Sequence, residues 1–149
     1  SALLAEHLPA LKGAGADFGC GIGFLANQVL ASPDVTSLAL IDIDRRALEM
    51  ARHNVQDARA EFLWGDVRDA APEGLDFVVM NPPFHDAGRE SKSLGQGFIG
   101  AASKALKKSG HLWLVANRHL PYEAVLGPGF LRWRQVADAG GFKVIEAVR

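Results

Sequence analysis

The sequence holds a single cysteine, Cys20, among 149 residues. One thiol cannot close an internal disulfide, which excludes a cross-linked secreted scaffold and suits a reducing cytoplasm, the expected location. No apolar run approaches the ~20 residues that a membrane-spanning helix needs, so no membrane partner is expected. A basic excess is missing as well. The net charge is −1, whereas a dedicated nucleic-acid binder usually carries a clear positive balance. Contact with nucleic acid through a small patch or a further domain stays open. His7, His53, His111 and His119 fall at no metal-ligand spacing and have no cysteine companions, so no metal is expected. There are no internal repeats and no low-complexity tract.

What is present is the material of one folded domain, residues 1–149. Hydrophobic residues make up 48% and charged residues 22%, enough apolar side chain to fill a core under an ordinary polar surface. The chain opens on Ser1-Ala2-Leu3-Leu4-Ala5, helical in pattern and without an initial Met. It is expected to be the C-terminal domain of a longer protein.

Short apolar runs alternate with helical segments, the pattern of parallel βαβ units. Residues 2–11 read as a helix ending near Gly13, and Ala14–Phe18 as a buried strand. Phe24–Leu30 reads as a helix stopped by Ser32-Pro33, and Thr36–Ile43 as a strand ending in acid. Arg45–Asp57 carries a helical stripe of Ala47, Leu48, Ala51 and Val55. Glu61–Trp64 and Leu75–Met80 follow as strands. Residues 85–95 read as a polar loop and Phe98–Lys107 as a helix ended by Gly110. His111–Ala116 is a strand and Tyr122–Leu126 a short helix. Arg132–Ala137 and Phe142–Val148 flank Gly140-Gly141, which suits the positive φ of a hairpin turn. The expectation is an α/β fold, a mostly parallel sheet with an antiparallel edge strand.

Between the first strand and the helix after it lies Asp17-Phe18-Gly19-Cys20-Gly21-Ile22-Gly23. Glycines permit the tight turn and let backbone N–H groups approach a ligand, while the following helix turns its positive end toward it. The spacing is G-x-G-x-G, not the G-x-G-x-x-G of dinucleotide enzymes. Asp42 ends the second strand, where a carboxylate can accept from both ribose hydroxyls. Asp66 follows the third, where it could accept from an adenine amino group while the Val67 N–H donates to a ring nitrogen. A lone turn aspartate means little, but Asp17, Asp42 and Asp66 stand at successive strand ends. Cys20 needs no reactive role, since a small side chain between glycines explains it.

The most specific feature is Asn81-Pro82-Pro83-Phe84. Two prolines take the chain out of the sheet and fix the backbone, so the Asn81 side chain and the Pro82 carbonyl are held in place. Two converging acceptors are what an exocyclic amino group requires, because each of its hydrogens can then be bound. Phe84 offers a flat face for stacking a base or an amide.

In that order the glycine loop, Asp42, Asp66 and Asn-Pro-Pro-Phe resemble the class I S-adenosylmethionine-dependent methyltransferases, a Rossmann-like three-layer sandwich. Asn81–His85, then Val115-Ala116-Asn117-Arg118-His119-Leu120-Pro121-Tyr122, then Gly141-Phe142-Lys143-Val144 are similar to one branch, the ribosomal RNA guanine-N2 methyltransferases. That branch comprises methyltransferase C, acting on the small ribosomal subunit, and methyltransferase G, acting on the large one. The resemblance implies a seven-stranded sheet with its last strand antiparallel, and S-adenosylmethionine as cofactor. Asp17, Phe18, Gly19, Cys20, Gly21 and Gly23 would cradle the methionine moiety. Asp42 would hold the ribose with Ile43 beside it, Asp66 and Val67 would read adenine, and Asn81 would border the cofactor. Asn81, Pro82, Pro83 and Phe84 would present the guanine amino group, and ribosomal RNA or a ribosomal subunit would be the partner. Members usually carry an N-terminal methyltransferase-like domain that helps bind RNA; this sequence contains none, and the segment ahead of the first helix is also absent.

Other readings stay open on the motif alone: methylation of a protein glutamine amide, whose enzymes usually have Tyr where Phe84 stands, methylation of adenine N6, or an inactive module that only binds RNA. His85, Arg89 and Lys92 sit where a polar loop could meet the target base or phosphate, or simply be solvated. Lys104, Lys107 and Lys108 are explained by a helix C-terminus. Trp64, Trp113 and Trp133 suit core or sheet-edge packing. Arg132 and Arg134 around Trp133 suit an edge strand guarded against aggregation.

Overall fold

The computed structural model describes residues 1–82, 93–119, 121, 124 and 126–149 in full, and the backbone alone of 89–92, 123 and 125. The elements are α1 (Ala2–His7), β1 (Gly13–Phe18), α2 (Phe24–Leu30), β2 (Val35–Asp42), α3 (Arg45–Asn54), β3 (Ala60–Trp64) and α4 (Val67–Ala70). Then come β4 (Leu75–Met80), α5 (Arg89–Ala105), β5 (Leu106–Asn117), α6 (Glu123–Gly129), β6 (Arg132–Ala139) and β7 (Phe142–Val148). The strands form one seven-stranded sheet in the order β3-β2-β1-β4-β5-β7-β6. All contacts among β1 to β5 are parallel, and β7 runs antiparallel to both β5 and β6.

The apolar strands are explained by burial on two faces. Ala16, Phe18, Ile41, Val78, Met80, Leu112 and Leu114 share one core with Phe98, Ile99 and Ala102 of α5 and Leu126 of α6. Residues of opposite parity, among them Leu38, Leu40, Phe77, Val79 and Trp113, pack against Leu4 of α1, Leu25 and Val29 of α2, and Leu48 and Ala51 of α3. Three layers result, with the sheet in the middle.

Several expected boundaries move. The first helix stops at His7, and Leu8 is extended at φ −71° and ψ 130°, because the ring of Pro9 disfavours helical backbone before it. The helix assigned to Phe98–Lys107 runs from Arg89 to Ala105, so part of the expected polar loop is helical and its polarity belongs to a helix. Lys107 and Lys108 are on β5, not at a helix end. Leu106 is fully buried and pairs with Leu75, which draws the chain into the sheet, while Lys107 forms an ion pair with Asp76 at the start of β4. The antiparallel strand is interior: β7, with Val144, Ile145 and Ala147 buried, inserts between β5 and β6. The charged, exposed β6 takes the edge. Gly140 and Gly141 turn the hairpin at φ 60° and 84°.

One arginine without a motif holds the edge of the fold. Arg59 donates to the carbonyls of Leu30, Ser32 and Val35 at 2.6, 2.8 and 2.9 Å, closing the α2-to-β2 connection. It also forks onto Asp57, and those hydrogen bonds hold the Asp57 carboxyl down at about 2.

At Gly15 a Cβ would lie 2.1 Å from the ring of Phe77 on β4. Gly15→Ala should cost about 1–3 kcal/mol by overpacking. Gly100→Ala, in open space on α5, should add about 0.5–1 kcal/mol. Urea denaturation of the two variants checks both signs.

Candidate active site

Four strand ends converge at the carboxyl edge of the sheet. Phe18 pairs with Ile41 on β2 and with Met80 on β4, so Asp42 and Asn81 flank Gly19 from either side. Asp42 pairs with Trp64, which brings Gly65 and Asp66 alongside. Here the strand order reverses, with β1 between β2 and β4, the place where open α/β sheets form a ligand crevice. A cleft of about 340 Å³ opens there, bordered by Gly19, Asp42, Ile43, Asp66, Val67 and Asn81.

The glycine loop is shaped by backbone demands. Gly19, Gly21 and Gly23 have φ of 70°, 55° and 97°, a region that side chains disfavour. At Gly23 a Cβ would also lie 2.6 Å from the Val55 side chain. The first half of the loop is bonded to β2. Gly19 and Cys20 N–H groups donate to the Ile41 carbonyl at 2.8 and 3.0 Å. Gly21 N–H donates to Asp42 Oδ2 at 2.8 Å, and Asp44 N–H donates to Asp42 Oδ1 at 2.8 Å. Each oxygen of Asp42 therefore holds one backbone N–H and retains a lone pair for a ligand.

Asp17 is almost wholly buried, and its Oδ2 has no hydrogen-bond partner. Burial, reinforced by the Asp42 charge, pushes its carboxyl up to about 7. An orphaned buried carboxylate oxygen beside a second acid is the environment that a cationic ligand group satisfies. Asp66 differs. It caps α4 through Arg68 N–H at 2.9 Å and takes a two-pronged bond from the Arg68 guanidinium at 2.9 and 2.6 Å. Those bonds hold its carboxyl below the usual range. Asn81 is half-buried, its side-chain amide donating to Ser1 Oγ at 2.9 Å, and Pro82 is buried beside it.

The structure gathers Gly19, Asp42, Ile43, Asp66, Val67 and Asn81 around one cleft; Asp17 does not border it, but is buried near enough to Asp42 to feel its charge. Phe18 and Cys20 have side chains in the two cores, so only their main chain faces the loop; burial and the nearby acids push the Cys20 thiol up. Pro83, Phe84 and His85 lie outside the described residues, and Arg89 is the first residue of α5. Asp44, Arg68, Leu94 and Phe98 also border the cleft and were not singled out from the sequence. Leu94 and Phe98 are one helical turn apart, a signal obscured when the first was assigned to a loop. Among the described residues no group of three or more His, Cys, Asp or Glu could hold a metal ion. No described helix is long and apolar enough to cross a membrane.

The sequence profile of the methyltransferase small domain matches residues 1–146. The chain belongs to the methyltransferase small-domain family. Within it, the chain is 36% identical over 152 residues to ribosomal RNA small subunit methyltransferase C of Stutzerimonas stutzeri, covering 100% of this chain and 46% of the relative. Ribosomal RNA large subunit methyltransferase G of Shewanella amazonensis is 34% identical over 140 residues, covering 89% and 37%. The fold is similar to that of the T. thermophilus 16S rRNA N2 methyltransferase RsmC in complex with AdoMet and guanosine, with a TM-score of 0.76 at 25% identity, over 91% of this chain and 37% of that one. The chain thus spans less than half the length of these relatives. The seven-stranded sheet with β7 antiparallel is the architecture that the resemblance implied.

Asp17 makes stability depend on pH in a defined direction. Its folded-state carboxyl lies near 7, above the ~3.9 of an unfolded aspartate. Between those values the folded domain binds the extra proton, so this group's contribution falls as pH rises from ~4 to ~7 and is flat above. Urea titrations across that range should reveal the slope, and Asp17→Asn should remove it.

Proposed function

We propose that the domain transfers a methyl group from S-adenosylmethionine to the exocyclic N2 amino group of guanine in ribosomal RNA. The observation that carries this reading is Asn81, half-buried on the rim of the cleft that Gly19, Asp42 and Asp66 also border. The residues fit the cofactor. Asp17 offers an unsatisfied buried oxygen to an ammonium group, Asp42 has lone pairs for ribose hydroxyls, and Asp66 with the Val67 N–H suits an adenine edge.

When bound there, S-adenosylmethionine supplies a sulfonium-activated methyl group, which the amino nitrogen takes up with loss of one proton and release of S-adenosylhomocysteine. The protein's share is positioning. The Asn81 side-chain oxygen and the Pro82 carbonyl accept the two amino hydrogens and turn the nitrogen lone pair toward the cleft. Pro82 has no N–H of its own, and its ring fixes φ, so the acceptor pair is rigid. No general base is needed at the nitrogen, because its proton can pass to solvent during or after transfer. Phe84 as stacking face, and His85 and Arg89 on the RNA, belong to this proposal on the strength of the sequence alone.

Ribosomal RNA is supported by the relatives named for it, and guanine by the T. thermophilus 16S rRNA N2 methyltransferase bound to AdoMet and guanosine. A ribosomal RNA or ribosomal particle as partner would set the reaction in the cytoplasm.

Full-length protein incubated with methyl-labelled cofactor and separated ribosomal subunits should yield labelled N2-methylguanosine on nucleoside analysis; label in adenosine or in protein instead would overturn the reading. Asn81→Ala should lower kcat on the order of a hundredfold or more. Its Kd for S-adenosylhomocysteine, measured by calorimetry, should stay within about threefold, as expected of a group acting on the transition state.

A further inference from the structure

The turn Asp42-Ile43-Asp44 between β2 and α3 forms one wall of the cleft, and its carbonyls are held from the end of β3. Gly65 N–H donates to the Asp42 carbonyl at 3.0 Å. The Trp64 indole Nε1–H donates to the Ile43 carbonyl at 3.0 Å. The first bond is main chain and almost any residue could make it. The second exists only because position 64 carries an indole.

That indole is otherwise hard to account for. Trp64 is 64% exposed on the edge strand β3, so burial of its ring contributes little. It does not itself border the cleft, whereas Ile43 and Gly65 on either side of it do. The Arg45 guanidinium lies 5.8 Å from the ring centroid, a cation–π contact that places the indole between α3 and the turn.

The bond reaches further than one carbonyl. The Ile43 carbonyl and the Asp44 N–H belong to the same planar peptide unit. One end is held by Trp64 and the other by Asp42 Oδ1. Rotation of this plane would release the Asp42 carboxylate, whose other oxygen holds Gly21 of the glycine loop. Ile43, 71% exposed, has little packing to resist that rotation.

We propose that Trp64 is a positioning residue for the cofactor: its indole N–H locks the Ile43–Asp44 peptide and thereby sets both the wall of the nucleoside pocket and the orientation of Asp42. The proposal rests on the cofactor assigned above. Trp64 preorganises the turn in the free protein, so its loss is felt in affinity and not in the chemical step.

Trp64→Phe keeps the aromatic face for Arg45 and removes only the donor. In the full-length protein the Kd for S-adenosylhomocysteine by calorimetry, and KM for S-adenosylmethionine, should rise about three- to tenfold, the effect of one lost hydrogen bond. At saturating cofactor kcat should stay within about twofold, with Tm within about 2 °C of the parent. An unchanged Kd would overturn the role of Trp64 while leaving the cofactor reading intact. A Kd loss matched by equal falls in kcat and Tm would overturn it too, by revealing general loosening. Wild-type protein that binds no S-adenosylhomocysteine would overturn the cofactor reading and this role with it.

Discussion

The carboxylate of Asp42 joins two turns that the sheet alone leaves separate. One oxygen accepts from Gly21 in the loop after β1, the other from Asp44 in the turn after β2. Because both donors are main-chain groups, the bond positions backbone and not merely a side chain. The charge on the acceptor makes such bonds stronger than neutral ones. The glycine loop owes its path to this anchorage and to the Ile41 carbonyl, which takes the preceding two N–H groups. The cleft exists where it does because parallel strands of matched register end together, and Asp42 converts that coincidence into a fixed cradle.

Much of the fold could be read in the residues because strands buried on both faces cannot hide. Leu75–Met80 and Phe24–Leu30 lie where the sequence set them, since one is apolar at all but Asp76 and the other is bounded by glycine and proline. The hairpin was legible through Gly140-Gly141. Where elements meet without punctuation, the reading drifted. Ala105 passes directly into Leu106 with no glycine or proline between them, and only the pairing of Leu106 with Leu75 decides that the helix is over. Likewise α4, four residues long, is too short for any periodicity to register. Its signal was Asp66, which caps it as well as bordering the cleft.

The candidate site shows the same division. Side chains at strand ends announced themselves by position, and Asp42, Asp66 and Asn81 indeed border one cleft. What the sequence could not convey was who holds whom. The grip of Arg68 on Asp66 is a local ion pair indistinguishable in sequence from ordinary helix charge patterning. Arg59, gathering three carbonyls that precede it by 24 to 29 residues, has no motif at all. Phe98 reaches the cleft from a helix that lies far along the chain, a proximity set by packing of α5 against the sheet. Gly19 reflects it directly: a Cβ there would come within 3.2 Å of that ring.

The unsatisfied oxygen of Asp17 ties the endurance of the protein to its surroundings. A buried acid without a partner is energy withheld from the folded state, and any ligand that supplies a positive group there restores it in proportion to how fully the site is filled. The empty domain is then the form most often caught partly open, and so the form on which proteases act first. Filling that site would then slow proteolysis as well as add stability.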